Sequence, residues 1–360
     1  ILSQFEVSLC RNWAGGFSLK TAGPIFYYPP VREMRCLMLK TIVQRFFQMI
    51  LVMVIVSMLV FAMTYFIGNP VYLLLPQNAS EEQVAQAMEE LGLDKPLPVQ
   101  YGIFIKNALH GDFGNSYFYK QSALSVILQK LPATLEIVVV TMLLTILIGI
   151  PLGVYAGAYP KRLSSKVTMV GSLFGVSLPS FWIGMILIYV FSLGLGLTPI
   201  SGRGQVGTLL GIKTSLATAD GWRHIILPAV TLALGNIASI VRLTRAGTQE
   251  QLRQDYVKFA RAKGVSNRKV LFGHALKNTL IPVVTILGLQ FGDLIAFTTI
   301  TETIFAWPGM GKMVLDAISN NDRPIISAYL MLVSALFIVI NFIVDVLYTL
   351  IDPRVSLSKD

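Results

Sequence analysis

Six stretches of about 20 or more mainly apolar residues dominate this chain, and a helix of that length spans the hydrocarbon core of a bilayer, about 30 Å thick. They lie near Phe46–Ile67, Ala133–Ala158, Val167–Leu197, Ile225–Leu243, Ile281–Ile304 and Ala328–Ile351. Lipid offers no partner to a backbone N–H or C=O, so each segment must bond within itself, and helices do this. The expected fold is an all-α integral membrane protein with six transmembrane helices. Its third stretch is long enough to be tilted or broken, and Pro179 inside it removes a backbone donor, which predicts a kink there. Composition agrees: 54% of the 360 residues are hydrophobic and 13% charged, unlike a soluble domain.

The chain carries 29 Lys and Arg against 19 Asp and Glu. Their positions decide what the excess means. With the N-terminus in the cytoplasm, 20 of the 29 basic residues fall on the inner side. They cluster before the first span, in the second connection (Lys161, Arg162, Lys166) and above all between spans four and five, from Arg242 to Lys277. The longest outer loop, Gly68–Pro132, sets four Lys against Glu81, Glu82, Glu89, Glu90, Asp94 and Asp112. The positive-inside rule gives N-in and C-in, and the basic balance reports topology rather than nucleic-acid binding. Cys10 and Cys36 both precede the first span and support neither a disulfide framework nor a thiolate metal site. Residues 1–37 begin with Ile, contain the turn-rich FSLKTAGPIFYYPP run and precede Met38-Leu39-Lys40. They read as an N-terminal extension from start-site choice, without the charged and apolar regions of a secretory signal.

The connection between spans four and five reads as two short helices. One runs from Gln249 to Lys263, Gly264 takes a left-handed C-terminal position, and Ser266 caps a second helix ending near Asn278. Both are too short and too basic to cross a membrane. Apolar on one side and cationic on the other, this elbow suits a headgroup layer or a groove on another protein.

The run Tyr256-Val257-Lys258-Phe259-Ala260-Arg261-Ala262-Lys263-Gly264, followed by His274-Ala275-Leu276-Lys277-Asn278 and Ile281-Pro282, resembles the EAA-type loop of binding-protein-dependent ABC importer permeases. More narrowly, the chain resembles the first permease subunit of the dipeptide, oligopeptide and nickel group. The resemblance covers nearly everything after Met38, including LGLDKPL at Leu91–Leu97, Gly111-Asp112-Phe113-Gly114, Leu178-Pro179-Ser180-Phe181-Trp182 and the ETIFAWPGMG run at Glu302–Gly311. Lys258 and Phe259 stand where the broad family has Glu and Ala, and the expected Leu-Pro is displaced to Ile281-Pro282; both departures fit the peptide and nickel branch.

The resemblance implies a type I ABC importer permease fold in the bacterial inner membrane. The implied partners are a second homologous permease, two cytoplasmic ATP-binding subunits, a periplasmic or extracellular substrate-binding protein and the lipid bilayer. It also implies that the loop spanning 246–280 supplies a coupling helix to the ATPase, a role carried here by Tyr256, Ala260, Ala262, Gly264 and Val265. On that division, 38–132 holds the first helix and outer loop, 133–351 a five-helix core and 352–360 a cytoplasmic tail. Inward peptide transport driven by ATP hydrolysis on other subunits is the expected function, with nickel or glutathione as alternatives. An ion-coupled secondary transporter would call for inverted repeats and ionisable relays at mid-membrane, and no convincing repeat is visible.

No cofactor, metal site or catalytic constellation is expected, and Gly309-Met310-Gly311-Lys312 fails as a phosphate loop because Met313 follows the Lys and the leading Gly is missing. Gly149, Gly153 and Gly157 form a small-residue stripe for helix packing, with a partner that spacing alone leaves open. Glu136, Asp293, Glu302 and Asp345 fall in or beside spans, where ionisable groups face a cavity or a partner. Pro179, Asp293 and Glu302 are the candidate path or gate residues. For Pro179, flanked by Gly175 and Gly184, a static kink competes with a hinge; Glu302 belongs to a run with structural or gating character. Cysteines introduced at Lys95 and Lys213 should label from outside intact cells, and those at Lys161 and Arg261 only after permeabilisation. The opposite pattern would invert the topology.

Overall fold

The computed structural model describes residues 31–66, 80–90, 92–209 and 211–351. Residues 1–30, with Cys10, and the tail 352–360 lie outside the described residues, while Val31–Leu37 open the first helix. In chain order the helices are α1 (Val31–Phe66), α2 (Glu81–Glu90), α3 (Leu97–Leu109), α4 (Ala123–Leu144), α5 (Ile150–Ala158), α6 (Leu163–Ser177) and α7 (Ser180–Leu187). They continue as α8 (Ala219–Arg253), α9 (Asp255–Ala262), α10 (Asn267–Lys269), α11 (Leu276–Phe297), α12 (Thr299–Ile304), α13 (Met310–Ser319) and α14 (Arg323–Ile351). Wide π-helical turns join α4 to α5, extend α7 to Gly194 and join α10 to α11. The described strands are β1 (Gly207–Leu209) and β2 (Ile212–Thr214), an antiparallel pair in an outer loop.

Five helices are long and apolar enough to cross a membrane, and α6 with α7 makes a sixth candidate, bent by 104°. The kink expected at Pro179 is thus a complete break. Leu178 is extended at φ −92°, ψ 134°, as a residue before proline prefers, and Pro179 follows at φ −61°, ψ 134° before α7 restarts. Span ends also shift from expectation. Pro132 is absorbed inside α4, which begins at Ala123; α8 runs on to Arg253; the fifth crossing begins at Asn267 and ends at Phe297, leaving α12 separate.

Packing shows how the bent pair counts. A Cβ added at Gly149, Gly153 or Gly157 would lie 3.0 Å from Ile240, 2.5 Å from Thr244 and 2.7 Å from Thr248 respectively. Both series climb by four, so α4–α5 and α8 run parallel and cross in the same sense. The chain between them must therefore cross back. It does so: Gly175 meets the Leu234 carbonyl, Gly184 meets Thr231, and Arg223 donates to the Leu197 carbonyl at 3.3 Å, an antiparallel descent along α8. Six crossings result, with the start of α1 and the end of α14 on one side, the inner side by charge. Gly175 and Gly184 are packing notches against α8.

The core lies among α4, α8, α11, α13 and α14, around Val138, Met142, Ile240, Val283, Leu287 and Ile325. The first span is peripheral: 11% of its apolar window is buried, against 50% for the second and fourth. It is held by an Arg45–Asp345 ion pair at 3.2 Å to α14 and by Ser57 and Phe61 against Tyr101 of α3. The glycine stripe makes a sharp prediction. Gly153→Leu should overpack the α5–α8 seam and destabilise the detergent-solubilised protein by about 1–3 kcal/mol, read as a lower melting temperature. Gly171→Leu, where an added Cβ meets nothing within 4 Å, should leave it unchanged.

Candidate functional site

The elbow between the fourth and fifth spans is built from three consecutive backbone decisions. Gln254, at φ −66°, ψ 152°, stops α8 and turns the chain, so the single helix expected over Gln249–Lys263 is divided at that residue. Helix α9 then lies across the inner end with Val257 fully buried. Its close is a Schellman motif: the Val265 N–H reaches the Ala260 carbonyl at 3.1 Å and the Gly264 N–H the Arg261 carbonyl at 2.9 Å. Gly264 supplies the required left-handed residue at φ +78°.

Beyond Ser266 the helix does not end near Asn278, as expected, but continues through the π-helical turn Val270–Ala275 into α11 and on to Phe297. Ser266 occupies the N-cap position without a side-chain cap bond. Tyr256 ties the elbow to both flanking spans: its hydroxyl donates to Gln251 Oε1 at 2.8 Å and accepts from Asn278 Nδ2 at 3.2 Å. Ala260 and Val265 are half-buried as the motif's facing pair, and Ala262 and Gly264 are exposed. A Cβ at Gly264 would meet nothing within 4 Å in this chain. The elbow also presents Phe259 and Phe272 at 69% and 55% exposure, the latter beside an open depression of about 680 Å³ also lined by Val265, Arg268 and His274. The Lys258 ammonium, 2.8 Å from Asp255, hydrogen-bonds that exposed carboxyl and holds it below the usual carboxylate range.

The elbow's buried anchor Val257 was not singled out by sequence. Its signal is weak, because one valine in a basic helix has no partner until α9 is laid down. Nor does sequence single out Asn278 or Gln251 as the partners of Tyr256.

The candidate path residues separate. Pro179 is exposed at the break between α6 and α7. Asp293 is exposed on α11, within a crossing helix. Glu302 is fully buried in an outer clasp, where its carboxylate accepts from Thr134 at 2.6 Å, Thr298 at 3.2 Å and the Lys312 N–H at 2.9 Å. Trp307 closes the same clasp by donating to the Ala133 carbonyl at 2.8 Å. Gly309 and Gly311, the phosphate-loop lookalike, are side-chain-free because a Cβ would collide with the Glu302 carboxylate or Thr299. The anion near the start of α13 is thus the chain's own.

Glu136 makes a second outer clasp. Arg203 binds it through two bonds of 2.9 and 2.6 Å, and Ser215 adds its N–H at 3.0 Å and hydroxyl at 2.7 Å. This fastens the loop between spans three and four onto α4. Arg203 was missed as a partner because 67 residues separate it from Glu136.

Comparison with known proteins bears on the whole arrangement. Residues 149–357 match the family described as the binding-protein-dependent transport system inner membrane component, and residues 38–138 match its N-terminal counterpart. The di/tripeptide transport system permease protein DppB of Pseudomonas aeruginosa is 42% identical, over 83% of this chain and 94% of its own. The glutathione transport system permease protein GsiC of Escherichia coli is 36% identical, over 88% and 99% respectively. Among solved structures, an inward-facing MetNI methionine ABC transporter shares the fold at a TM-score of 0.50 and 16% identity, covering 64% of this chain and 97% of its own. Six crossings with a type I permease fold, matched over most of their length, make this chain a member of the binding-protein-dependent transport inner-membrane component family, a multi-pass protein of the bacterial inner membrane.

Proposed function

We propose that the chain is the membrane subunit through which peptides enter the cell, driven by ATP hydrolysis on separate cytoplasmic subunits that seat on the elbow at Tyr256–Val265. The observation that carries this reading is mechanical. A 35-residue helix and a 31-residue helix meet at one short cytoplasmic segment, and that segment is fastened to both through Tyr256. Closure of two cytoplasmic subunits moves membrane helices only through a rigid element seated in those subunits and continuous with the spans. Exposed Phe259 and Phe272 supply apolar surface for such a seat.

The remaining partners follow from the family: a second permease, since one such subunit leaves much of its apolar helix surface open, and an external binding protein that delivers substrate. Peptide is the substrate class because the di/tripeptide permease is the more similar of the two relatives described. Glutathione, itself a tripeptide with an unusual linkage, is the second reading, and an uptake assay with both substrates separates them. Asp293, exposed within the fifth span, is the path residue.

Gly264→Asp tests the coupling role. A left-handed non-glycine residue costs about 1–2 kcal/mol, enough to shift a two-state coupling equilibrium about tenfold. Because no atom of this chain lies near the new Cβ, the protein should insert normally while uptake is abolished. Lys258→Ala, which removes an exposed pair of little energetic worth, should be mild. Normal uptake and normal ATPase association with Gly264→Asp would overturn the coupling assignment.

A further inference from the structure

Within the six apolar stretches of the sequence, two charged residues have no ion pair and no side-chain hydrogen bond among the described residues: Asp293 on α11 and Arg242 on α8. Asp293 shares an exposed strip with Asn278, Pro282 and Leu289, and Arg242 shares a partly open one with Ser239, Ala246 and Arg253. Each set recurs at three-, four- or seven-residue steps, which marks one helix face. The two helices touch where Gly247 of α8 approaches Thr279 of α11, and they run antiparallel. At 3.6 residues per turn, the open faces then turn to the same side of the pair. An unpaired charge facing lipid is expensive, so that side is wet or covered by polar groups.

The register also sets depth. Arg242 stands opposite the stretch near Val284, so Asp293 lies about nine residues, or about 13 Å, nearer the outer surface. A ligand moving inward along this side meets a carboxylate first and a guanidinium second. We infer that Asp293 receives the terminal ammonium and Arg242 the terminal carboxylate of a linear zwitterionic peptide, so that these two residues select for free peptide ends inside the membrane subunit. At 3.3–3.6 Å per extended residue, a peptide of about four residues bridges both charges, and shorter ones meet them in turn. The inference rests on the peptide reading above and adds to it where, and by which groups, the permease recognises its cargo.

The test uses the complete transporter in vesicles, with tetraalanine free, N-acetylated or C-amidated. Affinity of each form for the binding protein is measured first, and uptake is read with that protein saturated, so that selection upstream does not enter. On the unaltered transporter each block should slow uptake about tenfold, the scale of one charge-assisted hydrogen bond. Asp293→Asn should erase the N-acetyl penalty and keep the amide penalty, and Arg242→Gln should do the reverse. Equal loss for all three peptides, or penalties unchanged by either substitution, would overturn the inference and leave the charges as contacts to another subunit. Where a variant does not assemble or the binding protein rejects a blocked peptide, photolabelling of the unaltered complex decides. A diazirine on the first residue of tetraalanine should mark α11 around Leu289–Phe297, and one on the last residue α8 around Ser239–Ala246. Labels in the opposite order, or outside these helices, would overturn it. Failure to import any peptide would remove the substrate reading itself, whereas import indifferent to the peptide ends removes this inference alone.

Discussion

The close parallel contact between the second and fourth crossings organises this molecule. Within lipid there is no hydrophobic gain from bringing two apolar helices together, so association depends on close packing and on the few polar bonds available. Gly149, Gly153 and Gly157 supply that packing by letting Ile240, Thr244 and Thr248 sit directly on the α4–α5 backbone. Two parallel helices adjacent in space but separated in sequence require an intervening crossing, and the broken third span at Leu178-Pro179 provides it. Its own glycines, Gly175 and Gly184, press it onto the other flank of α8. The fourth helix is thereby clamped from two sides, and it is this clamped helix that delivers the chain to the elbow.

From that clamp a mechanical argument extends to the inner surface. Helix α8 breaks only at Gln254, α9 buries Val257, and the chain returns through Gly264 into a helix that reaches Phe297. The π-helical turn at Val270–Ala275 interrupts the returning helix, and such turns concentrate at functional sites. A push on the elbow is therefore shared by two spans at once. One of them, α11, also carries Asp293.

Burial sorts the acids in and near the membrane by what they do. Glu136 is taken up by Arg203 and Ser215, Glu302 by Thr134 and the start of α13, and Asp345 by Arg45. Each of these fastens one segment to another, and the two buried ones hold the outer loops to α4. Asp293 has no such partner among the described residues and stays exposed.

The sequence by itself determined the crossing segments, their orientation and the position of the elbow. Those features depend on local quantities: the length of an apolar run, the side on which Lys and Arg accumulate, and a glycine placed where a left-handed residue is needed. It also displayed the glycine stripe and the four acids, but not their partners. Tertiary structure alone decided that the stripe packs on α8 of the same chain, that Glu302 is buried and bonded to Thr134 and the start of α13, and that the second elbow helix runs on as the fifth span. It decided as well that Arg203 belongs to Glu136. Partner identity depends on register between helices far apart in sequence, and between long, mainly apolar spans many registers satisfy the same pattern until the side chains meet.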